Sequence, residues 1–128
     1  MVTGLERILE GWGGKPDQPF EEGIYIWDVK DPVNPRLLAR YKTGAIGTHR
    51  NHWDGGRYVH LTATARGFEG YIYVIIDIAD PAHPVEVSRW WLPEQWAAGG
   101  AKTTKTWVAL HGPAYPEGNR GRKLRGAG

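Results

Sequence analysis

One twelve-residue phrase occurs twice in the chain. Residues 24–35 read IYIWDVKDPVNP, and residues 73–84 read YVIIDIADPAHP. In each copy an apolar run ends at an aspartate, and Asp-Pro-x-x-Pro follows. Asp28 and Asp77 lie 49 residues apart, and the matched aspartates and prolines keep that spacing. A repeat of this period constrains the fold strongly, because each repeat of such a protein is one supersecondary unit that buries its faces against its neighbours.

Each copy of the phrase predicts two strands joined by a turn. The apolar run is rich in β-branched and aromatic residues and is nearly continuous, which favours a strand covered on both faces. Proline ends the strand, and the aspartates hold the turn by bonding nearby backbone. The second strands are predicted at 36–41 and 85–90. We interpret the four aspartates as turn residues, because a catalytic pair is needed once and not in every repeat.

The residues between the copies predict further short elements. Residues 57–64 alternate, with Val59, Leu61 and Ala63 on one face, and the preceding Asp54-Gly55 indicates a hairpin. Thr3 and Glu6 have the spacing of a capping box, so we expect a helical turn over 3–9. A further strand is predicted over 103–110.

Several short strands in a repeat of this length predict an all-β fold, with about two blades of antiparallel four-stranded sheet from an incomplete β-propeller. We divide the chain into an N-terminal loop with a short helix (1–21), two propeller repeats (22–112) and a basic, disordered tail (113–128). Complete propellers have about four to eight blades. The expected partners are therefore the missing blades or other copies of the chain, and we expect the chain alone to be marginally stable or to self-associate.

Composition excludes several classes of protein. The chain has no cysteine, which excludes disulfides, thiolate metal sites and cysteine nucleophiles. No run approaches the ~18–20 apolar residues of a membrane span, and no signal peptide is evident at the start. Neither feature indicates a compartment. The seven tryptophans are expected to fill the space between stacked sheets.

The net charge of +2 is unevenly distributed along the chain. Residues 102–128 carry six Lys or Arg and one Glu, whereas the preceding residues carry more acidic than basic groups. A basic tail can bind nucleic acid, but this one has no interleaved stacking aromatics and no known module. We therefore interpret it as a solvated tail and do not expect a nucleic-acid partner.

The repeated phrase resembles the LVIVD repeat, a β-propeller repeat of bacteria and archaea. The similarity extends to GTHR at 47–50, DGGRY at 54–58, and PVEVSRWWLP at 84–93, and it covers residues 22 to about 112. The resemblance implies a propeller in a protein of several hundred residues and a bacterial or archaeal origin. The third phrase that the family would place after residue 113 is absent. Fold alone does not fix the activity.

Three of the five histidines are poor candidates for chemistry. His52 lies three residues from His49, so on an extended strand the two would point to opposite faces. His60 belongs to the polar side of its strand, where packing is the simpler role. His83 occupies the turn position that Asn34 holds in the first copy, which indicates a solvent-facing turn residue.

His49 and His111 are the candidate metal ligands. Each lies in a segment that would lead into a blade, and in a propeller such segments converge on the central channel. The resembled subgroup has histidine at both places, which implies a site for a divalent metal ion completed by other blades. Gly112 stands where the family has a second histidine, so a structural role for both residues remains open. Arg50 is the candidate for binding an anion in the channel, with a salt bridge to a neighbouring blade as the alternative.

Two functional hypotheses follow. The first is a partial propeller that acts as a binding or interaction scaffold. The alternative is part of a metal-dependent enzyme whose ion is held by histidines in the channel.

Overall fold

The chain folds into two antiparallel β-sheets. The computed structural model describes residues 1–15, 17–102 and 108–113. Sheet 1 has the order β1-β2-β3, and sheet 2 has the order β4-β5-β6-β7. The strands are β1 (Val2–Leu5), β2 (Gly23–Asp28), β3 (Arg36–Tyr41), β4 (Thr48–His52), β5 (Tyr58–Ala63), β6 (Ile72–Asp77) and β7 (Val85–Trp90), with short 3-10 helices at Glu10–Trp12 and Pro93–Gln95.

The predicted all-β class is confirmed, and the strands of both repeats lie where the sequence places them. The hairpin at Asp54-Gly55 joins β4 to β5. Sheet 2 has the expected four strands, whereas sheet 1 has three within the described part of the chain. The strand expected over 103–110 falls partly on 103–107, outside the described residues, and 108–110 form no strand. The expected tail beyond residue 113 also lies outside them.

The helical turn expected over 3–9 is wrong. Residues 2–5 form β1, which pairs with β2 so that Val2 lies opposite Ile26 and Leu5 opposite Gly23. A capping-box spacing is only a local signal, and here pairing with a strand some twenty residues away determines the conformation.

The two Asp-Pro turns have the same construction. In the first, the Asp31 carboxylate accepts hydrogen bonds from the Val33 amide and the Asn34 side chain. In the second, Asp80 accepts from the Ala82 amide and contacts His83 Nδ1 at 2.8 Å. These bonds lower the pKa of both aspartates, with the side-chain bond as the largest cause. The prediction that the aspartates and residue 83 serve the turns is confirmed.

The core lies between the two sheets. Sheet 1 contributes Ile24 and Ile26, and sheet 2 contributes the aligned faces of β5 and β6. The buried residues are Ile24, Ile26, Val59, Leu61, Ala63, Ala65, Ile72, Val74, Ile76 and Ile78. The predicted common face of Val59, Leu61 and Ala63 is confirmed, because all three are fully buried.

A hydrogen-bonded network joins the outer strands of the two sheets. The Tyr41 hydroxyl of β3 donates to the Glu86 carboxylate of β7, and Glu86 also pairs with Arg89. Burial, followed by the bond to Glu86, raises the pKa of Tyr41 well above its usual value. The phenol therefore stays protonated and keeps its donor at all ordinary pH values.

The expectation that the tryptophans fill the space between the two sheets is wrong for Trp12, Trp90 and Trp96, and Trp107 lies outside the described residues. Trp53 and Trp91 pack at the margin of the core. Trp12, Trp90 and Trp96 are exposed. The space between the sheets is filled instead by aliphatic side chains, which leaves large aromatic surfaces on the outside.

Both repeats carry a β-bulge at the same place. In sheet 1, Ile26 pairs with Ala39 and Trp27 pairs with Leu37, so Leu38 has no opposite residue on β2. In sheet 2, Ile75 pairs with Ser88 and Ile76 pairs with Glu86, so Val87 has no opposite residue on β6. Leu38 and Val87 are again 49 residues apart, so the repeat extends to a backbone irregularity.

Candidate functional site

Four chain segments meet at the end of the sheets where β2, β4 and β6 begin. The first continues from β1: Glu6 forms an isolated bridge with Gly47, and the Arg7 amide donates to the Ile46 carbonyl at 2.8 Å. The last, residues 108–113, is tied to the start of β6 by a 2.9 Å bond from the Leu110 amide to the Tyr71 carbonyl. This end therefore brings together side chains that are far apart in sequence.

We call Glu6, His49, Tyr71 and His111 the histidine cluster. His49 Nδ1 lies 3.1 Å from Glu6 Oε2, and the Tyr71 hydroxyl donates to Glu6 Oε1. The His49 ring centre lies 5.1 Å from that of Tyr71 and 5.4 Å from that of His111. The structure thus brings together the two histidines that the sequence singled out.

Glu6 organises the histidine cluster. A carboxylate on one imidazole nitrogen fixes the tautomer and the ring orientation, and it leaves the other nitrogen for a ligand or a proton. Burial, followed by the hydrogen bond to Glu6, raises the pKa of Tyr71 to about 12. The tyrosine therefore remains a neutral donor to Glu6, whose other oxygen serves His49.

Local backbone structure explains why His49 points into the cluster. In the ladder between β4 and β5, Thr48 pairs with Ala63 and Arg50 pairs with Thr62, so His49 is the extra residue of a bulge. Such bulges redirect a side chain away from the sheet. Just before it, Gly47 has φ +109°, and a Cβ there would collide with the Leu5 carbonyl. A glycine is required at this close approach of β1 to β4.

Gln95 holds the segment that carries His111. Its side chain is fully buried. The Nε2 group donates to the carbonyls of Glu69 at 3.0 Å, Tyr71 at 2.8 Å and Val108 at 3.4 Å. The amide oxygen accepts from the Leu92 amide at 3.0 Å. One side chain therefore links the connection after β7, the start of β6 and the segment 108–113.

Arg50 lies next to the cluster on an exposed part of β4. Its aliphatic chain passes Gly112, and a Cβ on that glycine would lie 3.7 Å from Arg50 Cδ. The guanidinium makes no hydrogen bond or ion pair with the residues that the structure describes. Its assignment as an anion-binding residue stays a prediction.

The remaining histidines lie elsewhere. His60 Nδ1 is 3.0 Å from the Tyr73 hydroxyl, and His52 lies opposite His60 in the sheet. His83 is in the second Asp-Pro turn. None of the three belongs to the histidine cluster.

Glu6 and Tyr71 were missed by sequence reasoning. Glu6 follows β1, where its spacing from Thr3 had indicated a capping box, and Tyr71 precedes β6 outside any motif. The signal for the site is their position: each lies where a strand meets the end of the sheet that holds His49.

Within residues 1–15, 17–102 and 108–113, no group of three or more His, Cys, Asp or Glu side chains is placed to hold a metal ion. His49 and His111 can supply two imidazoles, and Glu6 is already engaged by His49 and Tyr71. A metal site at this position needs ligands in addition to this pair.

A cleft lies at the opposite end of the sheets, near the Asp-Pro turns. This cleft has a volume of about 630 Å³, and Trp27, Lys30, Trp53 and Ile78 are among its lining residues. No member of the histidine cluster lines it. The lining is mainly apolar, and Asp28 and Lys30 are its charged side chains.

Comparison of the chain with protein-family models, curated proteins and solved structures found no match. In the part of the chain that the structure describes, no helix has the length and apolar character needed to cross a membrane.

Proposed function

We propose that this chain supplies two blades of an LVIVD-type β-propeller and that the assembled ring is a binding scaffold. The two sheets act as equivalent units that stack face to face. Further blades, from missing repeats or other copies of the chain, pack against the outward faces of the two sheets. The stacked sheets hold the histidine cluster and Arg50 at one end, where a ligand can reach them.

The observation that carries the proposal is a reversal of faces between the repeats. Ile24 and Ile26 of sheet 1 face sheet 2 and are buried. Their equivalents 49 residues later are Tyr73 and Ile75, which point away from sheet 1, because the neighbouring residues Val74 and Ile76 belong to the core. Equivalent positions therefore face the other sheet in one repeat and face away from it in the next, as expected when units stack in one direction.

The proposal is tested by measuring self-association of the whole chain by sedimentation velocity over a concentration series. We expect the sedimentation coefficient to rise with concentration, because association buries apolar side chains on the outward face of sheet 2. Ile75→Lys places a charge on that face and should weaken association at least tenfold. Val33→Lys is the matched control, since Val33 is 83% exposed in the first turn and should tolerate the change. A compact wild-type monomer at every concentration would contradict the proposal.

The second candidate function is a divalent metal centre at the histidine cluster, as part of a metal-dependent enzyme. It is favoured by the convergence of His49 and His111 from segments 62 residues apart in the sequence. Neighbouring blades would have to complete the ligand set. Once bound, such an ion would act as a Lewis acid or lower the pKa of bound water.

Isothermal titration with Zn²⁺ tests this second candidate in the assembled protein. Stoichiometric binding that is lost in both His49→Ala and His111→Ala, and kept in His83→Ala, would support it. Binding that all three variants retain would place the metal elsewhere and refute the assignment.

A further inference from the structure

We infer that the neighbour on the open sheet is a second copy of this chain, docked head to tail. The sheet 2 open face of one copy would receive the sheet 1 outer face of the next. The inference rests on the proposed function and adds the identity of the neighbour and the polarity of the contact. The sheet 2 open face is His60, Tyr73, Ile75, Ser88 and Trp90, and the sheet 1 outer face is Thr3, Tyr25, Trp27, Leu37 and Arg40. Thr62 lies on the same face as Tyr73, but it is already buried and its hydroxyl donates to the His111 carbonyl at 3.5 Å, so the segment 108–113 covers this corner of the face.

The interface inside the chain is the template for this contact. Tyr25 and Trp27 of sheet 1 are equivalent to Val74 and Ile76 of sheet 2, which are buried against sheet 1. Thus the outer face of sheet 1 is the counterpart of a surface that already receives a sheet. The open face of sheet 2 is likewise the counterpart of the sheet 1 surface that is already covered. The sheet 1 outer face and the sheet 2 open face therefore correspond to the two surfaces that meet between sheet 1 and sheet 2 inside the chain.

The Tyr41–Glu86 hydrogen bond between the two sheets has an apolar counterpart in the proposed contact between copies. Inside the chain, Tyr41 donates to Glu86 between the outer strands. The equivalent positions are Trp90 on the open face and Leu37 on the outer face, 53% and 37% exposed. Stacking a second copy would bring these two exposed apolar side chains together. The contact then gains apolar burial without needing a matched polar pair.

Several polar groups on both faces have partners within their own sheet. Trp27 Nε1 donates to Thr3 Oγ1 at 2.9 Å, and the Tyr73 hydroxyl lies 3.0 Å from His60 Nδ1. Arg40 donates to Glu21 at 3.4 Å and lies 4.9 Å above the centre of the Tyr25 ring. Burying a polar group is costly mainly when its partner is lost. Covering these faces with another sheet therefore keeps the hydrogen bonds of Trp27 and Tyr73.

The contact has a direction, which limits the assemblies it can form. Two different surfaces meet, so the interface is heterologous and repeats from copy to copy. Such contacts give a closed ring if the rotation closes and a filament if it does not. A two-fold dimer through two identical open faces is the competing arrangement.

A mixing experiment separates these arrangements. Ile75→Lys blocks the open face and Tyr25→Lys blocks the outer face, while each variant keeps one intact face. We expect each variant alone to associate at least tenfold more weakly than the wild type. Mixed in equal amounts, they should form a heterodimer that does not grow further, with an affinity close to that of the wild-type contact. Sedimentation velocity gives the size, and circular dichroism confirms that both variants are folded.

The other outcomes are also decisive. If Tyr25→Lys still dimerises alone and Ile75→Lys does not, the contact is two-fold and the inference is refuted while the proposed scaffold stands. If both variants associate as the wild type does, the chains pair through strand edges, which refutes the inference. A wild-type chain that stays a compact monomer refutes both proposals. Should either variant unfold, Trp90→Glu and Leu37→Glu block the same two faces at exposed positions and repeat the test.

Discussion

Replacing Gln95 by alanine should loosen the segment that places His111 beside His49. The substitution removes hydrogen bonds of 2.8–3.0 Å to Glu69, Tyr71 and Leu92. It also removes the 3.4 Å bond to the Val108 carbonyl, which reaches the segment 108–113 directly. Each is worth about 1 kcal/mol net, and an amide left without a partner costs ~1–3 kcal/mol. The Tyr71 carbonyl keeps its bond from the Leu110 amide, so only part of that cost applies. We expect a loss of about 3 kcal/mol in the free energy of unfolding.

The assay is urea and thermal denaturation of the whole chain. For a chain of this size, about 3 kcal/mol corresponds to a fall of roughly 10–15 °C in Tm. Hydrogen exchange should show the same effect locally, with faster exchange of the Leu110 amide. Gln18→Ala is the control, because Gln18 is exposed in a loop.

A charged variant sharpens the test of Gln95. Gln95→Glu keeps an acceptor for the Leu92 amide but turns a carboxylate toward the carbonyls of Glu69 and Tyr71. The Gln95→Glu variant should have a lower free energy of unfolding than Gln95→Ala at pH 7. Its free energy of unfolding should rise as the pH falls toward 4, because the new carboxyl is then protonated. If Gln95→Ala melts within about 3 °C of the wild type, Gln95 does not hold this segment and the reasoning is wrong.

Three further predictions concern the two sheets. Tyr41→Phe removes the donor to Glu86 and should lower the free energy of unfolding by about 1–2 kcal/mol in urea; an unchanged midpoint would show that the bond contributes nothing. The pKa of Asp77 is lowered chiefly by its bond to Arg57, so its stabilising effect is present above an ordinary aspartate pKa of about 4 and is lost as the pH falls through the lower folded value. Asp77→Asn should flatten the fall in Tm below pH 5, and a curve parallel to the wild type would contradict this. Gly23→Ala should cost at least ~2 kcal/mol, because Gly23 has φ +98° and a Cβ would collide with the Tyr41 carbonyl; chemical denaturation measures this, and a neutral effect would refute it.

Much of the strand layout could be predicted because its signals are local. The strands around Asp28 and Asp77 are marked by β-branched and aromatic runs and by turns whose bonds span two or three residues. The repeat allows each strand and turn of the phrase to be predicted from two copies, so a wrong prediction in one copy disagrees with the other. β1 had no such check, since its partner lies in another part of the chain.

The candidate site was only partly predictable, for the same reason. His49 and His111 could be singled out because their residue type is chemically distinctive and each lies in a segment leading into a sheet. Glu6 and Tyr71 reach the cluster only through the pairing of β1 with β2 and the start of β6. Their placement depends on contacts between distant segments, which spacing along the chain does not reveal.

The shared bulge at Leu38 and Val87 bears on the engineering of longer arrays from this unit. Side chains on a strand alternate, so removing one of these residues would turn every residue on one side of the deletion to the opposite surface. A consensus unit averaged over both copies must therefore keep the additional position, although its amino acid is free to vary. Shortening the outer strand to an ideal ladder would invert its amphipathic pattern and leave a soluble array without a usable stacking surface.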